Sequence, residues 1–232
     1  MRGILQPETL SIVVVAEKHN PTILNPDFLY RNQIVPEDWK QVQDPICTPP
    51  LARVVFESGV GIETQFDKVI FTERDATSIP EGTVLAEVAL RYIGTLPHVS
   101  YRAVGINPHG FVECDSEEAV RLFLLGTLIG EGPWRKVGDK PPHAAVRLIY
   151  TFGDCQCTLS VEEARARPGE GGAEKPVVTF RANFHRALAA DSHNRQLDRL
   201  LQVIRGWRND YELFERIVGE TFLREAEACQ ES

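Results

Sequence analysis

Two short segments of the chain combine a histidine with an Asn-Pro step: His19-Asn20-Pro21 and Asn107-Pro108-His109-Gly110. Histidine titrates near neutral pH and can move protons, and an asparagine amide can orient a substrate. The same residue types also end a strand by ordinary turn chemistry, because proline removes a donor and restricts the residue before it. Turn chemistry is the simpler reading. His19, Asn20, Asn107 and His109 therefore stand as candidate binding residues, and no catalytic residue is assigned.

Cys155 and Cys157 stand two apart, so on a strand both point to one face. A soft-metal site needs two further ligands, and Cys47, Cys114 and Cys229 supply no matching Cys-x-Cys or His pair. Core packing is expected, with no metal, no cofactor and no disulfide. Glu57 and Glu63 flank Gly59, but a paired-carboxylate glycosidase needs a cleft between its acids, and a tight hairpin leaves none. Trp39 and Trp134 could stack on a ligand; their recurrence points instead to plugs packed beneath a sheet. The sequence contains no phosphate-binding glycine loop, nucleophile elbow, His-Glu-x-x-His or kinase signature.

The elements that must position these residues read as α+β. Ser11–Glu17 is a β-branched run and predicts a buried strand. The proline-rich stretch after it allows a helical turn only at Asp27–Asn32. Leu51–Ser58, Gly61–Phe66 and Lys68–Glu73 predict a three-strand meander, and Thr83–Leu96 a helix. Ser100–Ile106 is a strand, and Asp115 is placed to cap a helix running to about Ile129. Ala144–Phe152, Cys155–Glu162 and Val177–Phe184 predict a second meander, with a mobile Gly/Pro-rich loop before the last strand. From Ser192 to about Ala228 the apolar positions recur at three- and four-residue steps, which predicts one long amphipathic helix.

The two meanders resemble each other. Trp39, Val42 and Asp44 match Trp134, Val137 and Asp139 at an offset of 95, and Pro49-Pro50 matches Pro141-Pro142. Val54, Phe56 and Gly59 then match Leu148, Tyr150 and Gly153 at an offset of 94. The expected architecture is two tandem copies, residues 1–97 and 98–232, of a strand–connector–three-strand meander–helix unit. The antiparallel sheet or sheets carry helices packed on one face, and the copies are related by a pseudo-twofold. The terminal helix is long enough to predict that Phe214 to Phe222 joins a homodimer contact.

Composition narrows the function classes. The net charge of −8 and the pI of about 5.3 argue against nucleic acid and against an anionic membrane surface. The basic clusters at Arg165/Arg167 and Arg199/Arg205/Arg208 are diluted by acids. No segment reaches the apolar length of a membrane helix or a signal sequence, so the cytoplasm is expected.

The closing run LDRLLQVIRGWRNDYELFERIVGETFLREA resembles the end of an uncharacterised, sporadically distributed bacterial and archaeal family. The family's members finish on a helix with an aromatic-rich stretch, here Phe214–Val218. HNPTILNP resembles that family's Asn/Pro-rich opening. The 163–175 loop and the absence of a frequent helix histidine depart from its pattern. The resemblance implies no assigned activity and no catalytic residues.

The sequence best fits a non-catalytic binding or assembly module of a bacterial accessory system, one that holds a protein partner or forms a homo-oligomer. A meander followed by a long helix is also similar to SecB-like chaperones, an analogy of fold alone. The alternative is a hydrolase or transferase that uses the two Asn-Pro/His segments.

Overall fold

Burial alternates residue by residue along almost every strand of this chain, because successive side chains of an extended backbone point to opposite sides. A computed structural model describes residues 3–74, 77–167, 173–189 and 192–224. Its strands are β1 (Gln6–Ala16), β2 (Ile46–Cys47), β3 (Leu51–Val55), β4 (Val60–Gln65), β5 (Lys68–Glu73), β6 (Tyr101–Glu113), β7 (Ala145–Phe152), β8 (Cys155–Ala166) and β9 (Lys175–Ala187). They form one nine-stranded antiparallel sheet in the order β2-β3-β4-β5-β1-β6-β9-β8-β7. Five α-helices accompany it, so the chain is α+β.

One row of registered partners shows what the inner side of the sheet is made of. It runs Val54–Ile62–Phe71–Ile12–Ile106–Phe184–Cys157–Tyr150 and crosses eight strands. All but Tyr150 are fully buried. Burial pushes the thiols of Cys155 and Cys157 up to about 11 and about 12, so both stay protonated and serve as small core residues.

The helices explain the burial. α1 (Pro26–Arg31) is capped by Asn25, which accepts from the Phe28 N–H at 2.9 Å. α2 (Leu85–Thr95) sets Tyr92 edge-on to Phe71, ring centroids 5.4 Å apart. α3 (Glu117–Arg121) is capped by Ser116, one residue beyond the predicted Asp115, and continues as a π-helix over Leu122–Ile129. Phe123 of that π-helix meets Phe180 of β9 at 6.4 Å.

The terminal helix departs from the single rod that the periodicity predicts. α4 (His193–Arg205) starts at a Ser192 cap, Gly206 interrupts it with φ −86 and ψ 11, and α5 (Trp207–Arg216) follows. A π-helical turn over Ile217–Leu223 closes the described residues, so the predicted extension to Ala228 lies outside them. The apolar stripe is covered by its own chain. Phe214, Val218 and Phe222 are buried, and the Phe222 ring packs edge-on to Phe180 at 5.8 Å. The homodimer contact predicted there is corrected: Phe222 is a core residue. Arg186 of β9 donates two hydrogen bonds of 2.7 Å to the carboxylate of Asp210, which pins α5 to the sheet.

Two other expectations change. β6 does not end at Asn107-Pro108 but runs on to Glu113. The β6–β9 ladder passes from Ile106↔Phe184 to His109↔Arg181, skipping the proline that has no N–H to give. Trp39 is half-buried against Phe56, ring centroids 5.3 Å apart, but Trp134 sits on a 3-10 turn and is 46% exposed, so it plugs nothing.

Candidate functional site

The predicted site residues fall on opposite sides of the sheet. His19 follows β1 on the inner side, 3% exposed, with its ring stacked 6.0 Å from Tyr92. Neither ring nitrogen makes a well-formed hydrogen bond, and burial lowers its pKa against a smaller opposing contribution from the Asn20 backbone. Asn20 caps the next turn by accepting from the Thr22 N–H at 3.1 Å, which is the turn role its Asn-Pro step allows. Asn107 and His109 lie on β6 at positions whose side chains alternate with the buried Ile106, Pro108 and Gly110. They therefore face outward. The structure keeps the two Asn-Pro segments apart, and none of the described hydrogen bonds joins a serine, threonine or cysteine to a histidine.

What surrounds Asn107 and His109 is a polar surface built by strand register. One outer row runs Arg147–Ser160–Arg181–His109–Thr9 across β7, β8, β9, β6 and β1. At about 4.8 Å between strands it spans roughly 19 Å. A second row is Ile149–Thr158–Asn183, and Asn107 pairs with Ser11 beside it. The Asn107 amide donates to the carbonyls of Ser11 and Gly105, both at 3.3 Å. Gly105 makes this crowding possible: a Cβ there would stand 3.0 Å from the Asn183 side-chain oxygen and 3.5 Å from that of Asn107. Asn183, Arg181 and His185 on β9 are exposed.

The outer rows are cationic on an acidic chain. Registered outer positions hold Arg53, Lys68, Arg147, Lys175 and Arg181 against Glu63, Glu113 and Glu162. Arg74 joins them at the rim of a hollow of about 260 Å³ over β3–β5, whose floor includes Gly61, Ile70 and Thr72. Five registered bases thus meet three registered acids, while the whole chain carries −8. The acids are engaged: Glu63 with Arg53 at 3.9 Å, Glu162 with Arg181 at 3.8 Å and Glu113 with Lys175 at 2.6 Å. Lys68, Arg74 and Arg147 have no ion pair among the described residues. His109, between Thr9 and Arg181, is held to about 4, first by burial and then by the Arg181 charge, so it is neutral near pH 7.

Sequence reasoning singled out Asn107 and His109 but not Arg147, Arg181, Asn183 or His185. The signal for the last three was present: Phe180-Arg181-Ala182-Asn183-Phe184-His185 alternates apolar and polar at period two. Cys114, Cys155 and Cys157 are buried and Cys47 is exposed. Among the described residues no group of three or more His, Cys, Asp or Glu gathers in a metal-binding arrangement. No helix among them is long and apolar enough to cross a membrane. No family model matches the chain, and no curated protein matches it.

Proposed function

We propose that this chain is a non-catalytic binding module that takes an acidic polypeptide on the outer face of its sheet, while the helices close the other face. The observation that carries the reading is the local charge: five bases against three acids at the registered outer positions of a chain with a net charge of −8. Serine, threonine and asparagine side chains between the cations supply donors for carboxylates and backbone carbonyls. A polypeptide suits the face better than a nucleic acid. A continuous phosphate backbone would run past the eight strands of this face, roughly 34 Å at about 4.8 Å per strand, onto the acidic remainder of the chain. The alternative enzyme, with His19, Asn20, Asn107 and His109 in one site, loses support because those residues lie on opposite sides.

An internal duplication fits the same face. The sheet order reads β3-β4-β5-β1 from one side and β7-β8-β9-β6 from the other. The inner row repeats Ile–Phe outward from its centre, Ile12–Phe71 and Ile106–Phe184, which supports a pseudo-twofold between Ile12 and Ile106. Under it Val54 corresponds to Tyr150, two residues beyond the match suggested by the letters alone.

The test is fluorescence anisotropy with a labelled poly-glutamate peptide. Binding should weaken as salt rises, and an Arg147→Ala/Arg181→Ala double variant should weaken it at least tenfold with the thermal midpoint unchanged. Equal binding by the double variant, or none by wild type at millimolar peptide, rejects the reading. Tighter binding of a single-stranded oligonucleotide, lost in the same variant, would move the site to nucleic acid.

A further inference from the structure

The two edges of the sheet are built differently. β2 closes one edge with two residues, a short strand that offers little to pair with. β7 closes the other with eight. No backbone group among the described residues outside β8 hydrogen-bonds to β7. β7 also lacks the usual protections of an edge: it has no proline and no bulge, and its only charge is Arg147 on the outer side. Ile149 is 60% exposed and Phe152 38%. Of the eleven exposed large hydrophobic residues among those described, six lie between residues 122 and 152. They fall in the π-helix beside β7, the connector after it, and β7 itself.

We infer that β7 pairs antiparallel with β7 of a second copy of this chain, so that two nine-stranded sheets continue into one across a twofold at Ile149. This assembly is separate from the outer-face binding proposed above and does not depend on it. The strand is complementary to itself in that register. Ile149 meets Ile149 of the other copy on the outer side, and Arg147 meets Thr151. On the inner side Leu148 meets Tyr150, and Val146 meets Phe152. No like charges stand opposite each other, and the four inner apolar pairs across the join contribute about 0.2–1 kcal/mol each. Centring on Leu148 instead would leave Phe152 without a partner. The six exposed side chains present on the order of 500 Å² of apolar surface. Those on β7 itself, Ile149 and Phe152, lie at the join.

Sedimentation equilibrium of the full chain at about 10–100 μM reads the assembly directly. Wild type is expected to be a dimer. Ile149→Lys and Ile149→Glu should each be monomeric, since each sets like charges face to face at the twofold, and an equimolar mixture of the two should recover the dimer. Both variants should stay folded, because the side chain is mostly exposed in the single chain, and their thermal midpoints should no longer depend on protein concentration as that of wild type does. A monomeric wild type at the highest concentration overturns the inference, as does a dimer that both variants leave intact. A dimer kept by Ile149→Glu but lost in Ile149→Lys would place the twofold at Leu148, with position 149 opposite Arg147, and overturn the stated register.

Discussion

His109 is half-buried between Thr9 and Arg181, and its pKa falls from the ordinary 6.5 to about 4. The unfolded chain therefore takes up a proton near pH 6.5, while the folded chain refuses it until about pH 4. Across that window the unfolded state binds more protons, so stability falls as pH falls and is fully present above pH 6.5. His19, whose pKa burial also lowers, pulls in the same direction. The expected outcome is a urea midpoint that drops between pH 7 and 4.5 in wild type and drops less in His109→Gln. An unchanged slope in that variant would assign the effect to other groups. Single residues were only half legible in the sequence. Asn107 and His109 could be picked out by type, and so could the burial of Cys155 and Cys157. Which side of the sheet each histidine faces could not, because it depends on a β6 that runs through Pro108 where turn chemistry favours a stop.

At the scale of elements, hydrophobic period and turn residues placed both meanders and α2 within a few residues of their observed bounds. Gly59 and Gly153 turn their hairpins at φ of 83 and 60, a region open to glycine without strain. The misplacements share a physical cause, since each element was extended or cut by a neighbour. β8 and β9 run on to Ala166 and from Lys175, pairing with each other through part of the predicted loop. The terminal helix breaks at Gly206, and its stripe then turns inward, which removes the reason for a partner there. Phe222, at 4% exposure against Phe180, is expected to behave as core. Phe222→Ala should cost about 3–5 kcal/mol in urea unfolding. It should leave the sedimentation coefficient of the folded fraction unchanged. A change in association without loss of stability would return the terminal helix to an intermolecular role.

At the scale of the whole molecule, the question is whether residues 1–97 and 98–232 behave as two domains or one body. β1 and β6 meet at the middle of the sheet through ten registered pairs, flanked by β5 and β9 on either side. Leu10, Ile12 and Val14 on β1 and Val104 and Ile106 on β6 are fully buried, so separating the halves would expose the centre of the core. Polar ties cross the same boundary. The His193 ring hydrogen-bonds to the Pro97 carbonyl at 2.6 Å, Arg208 donates to the Glu81 carbonyl at 3.2 Å, and Arg102 pairs with Glu17 at 2.6 Å. Neither half keeps a closed apolar surface without the other, and cooperative unfolding follows from that. Equilibrium unfolding should give a single transition by circular dichroism and by tryptophan fluorescence, with Trp39 reporting on the first half and Trp207 on the second. Ile12→Ala, at the seam, should lower stability by about 2–5 kcal/mol. That loss should shift both signals together, because the residue belongs to the row that ties Phe71 to Ile106. Two resolved midpoints, or a shift confined to one probe, would show instead that the halves are separately stable domains joined along a shared strand pair.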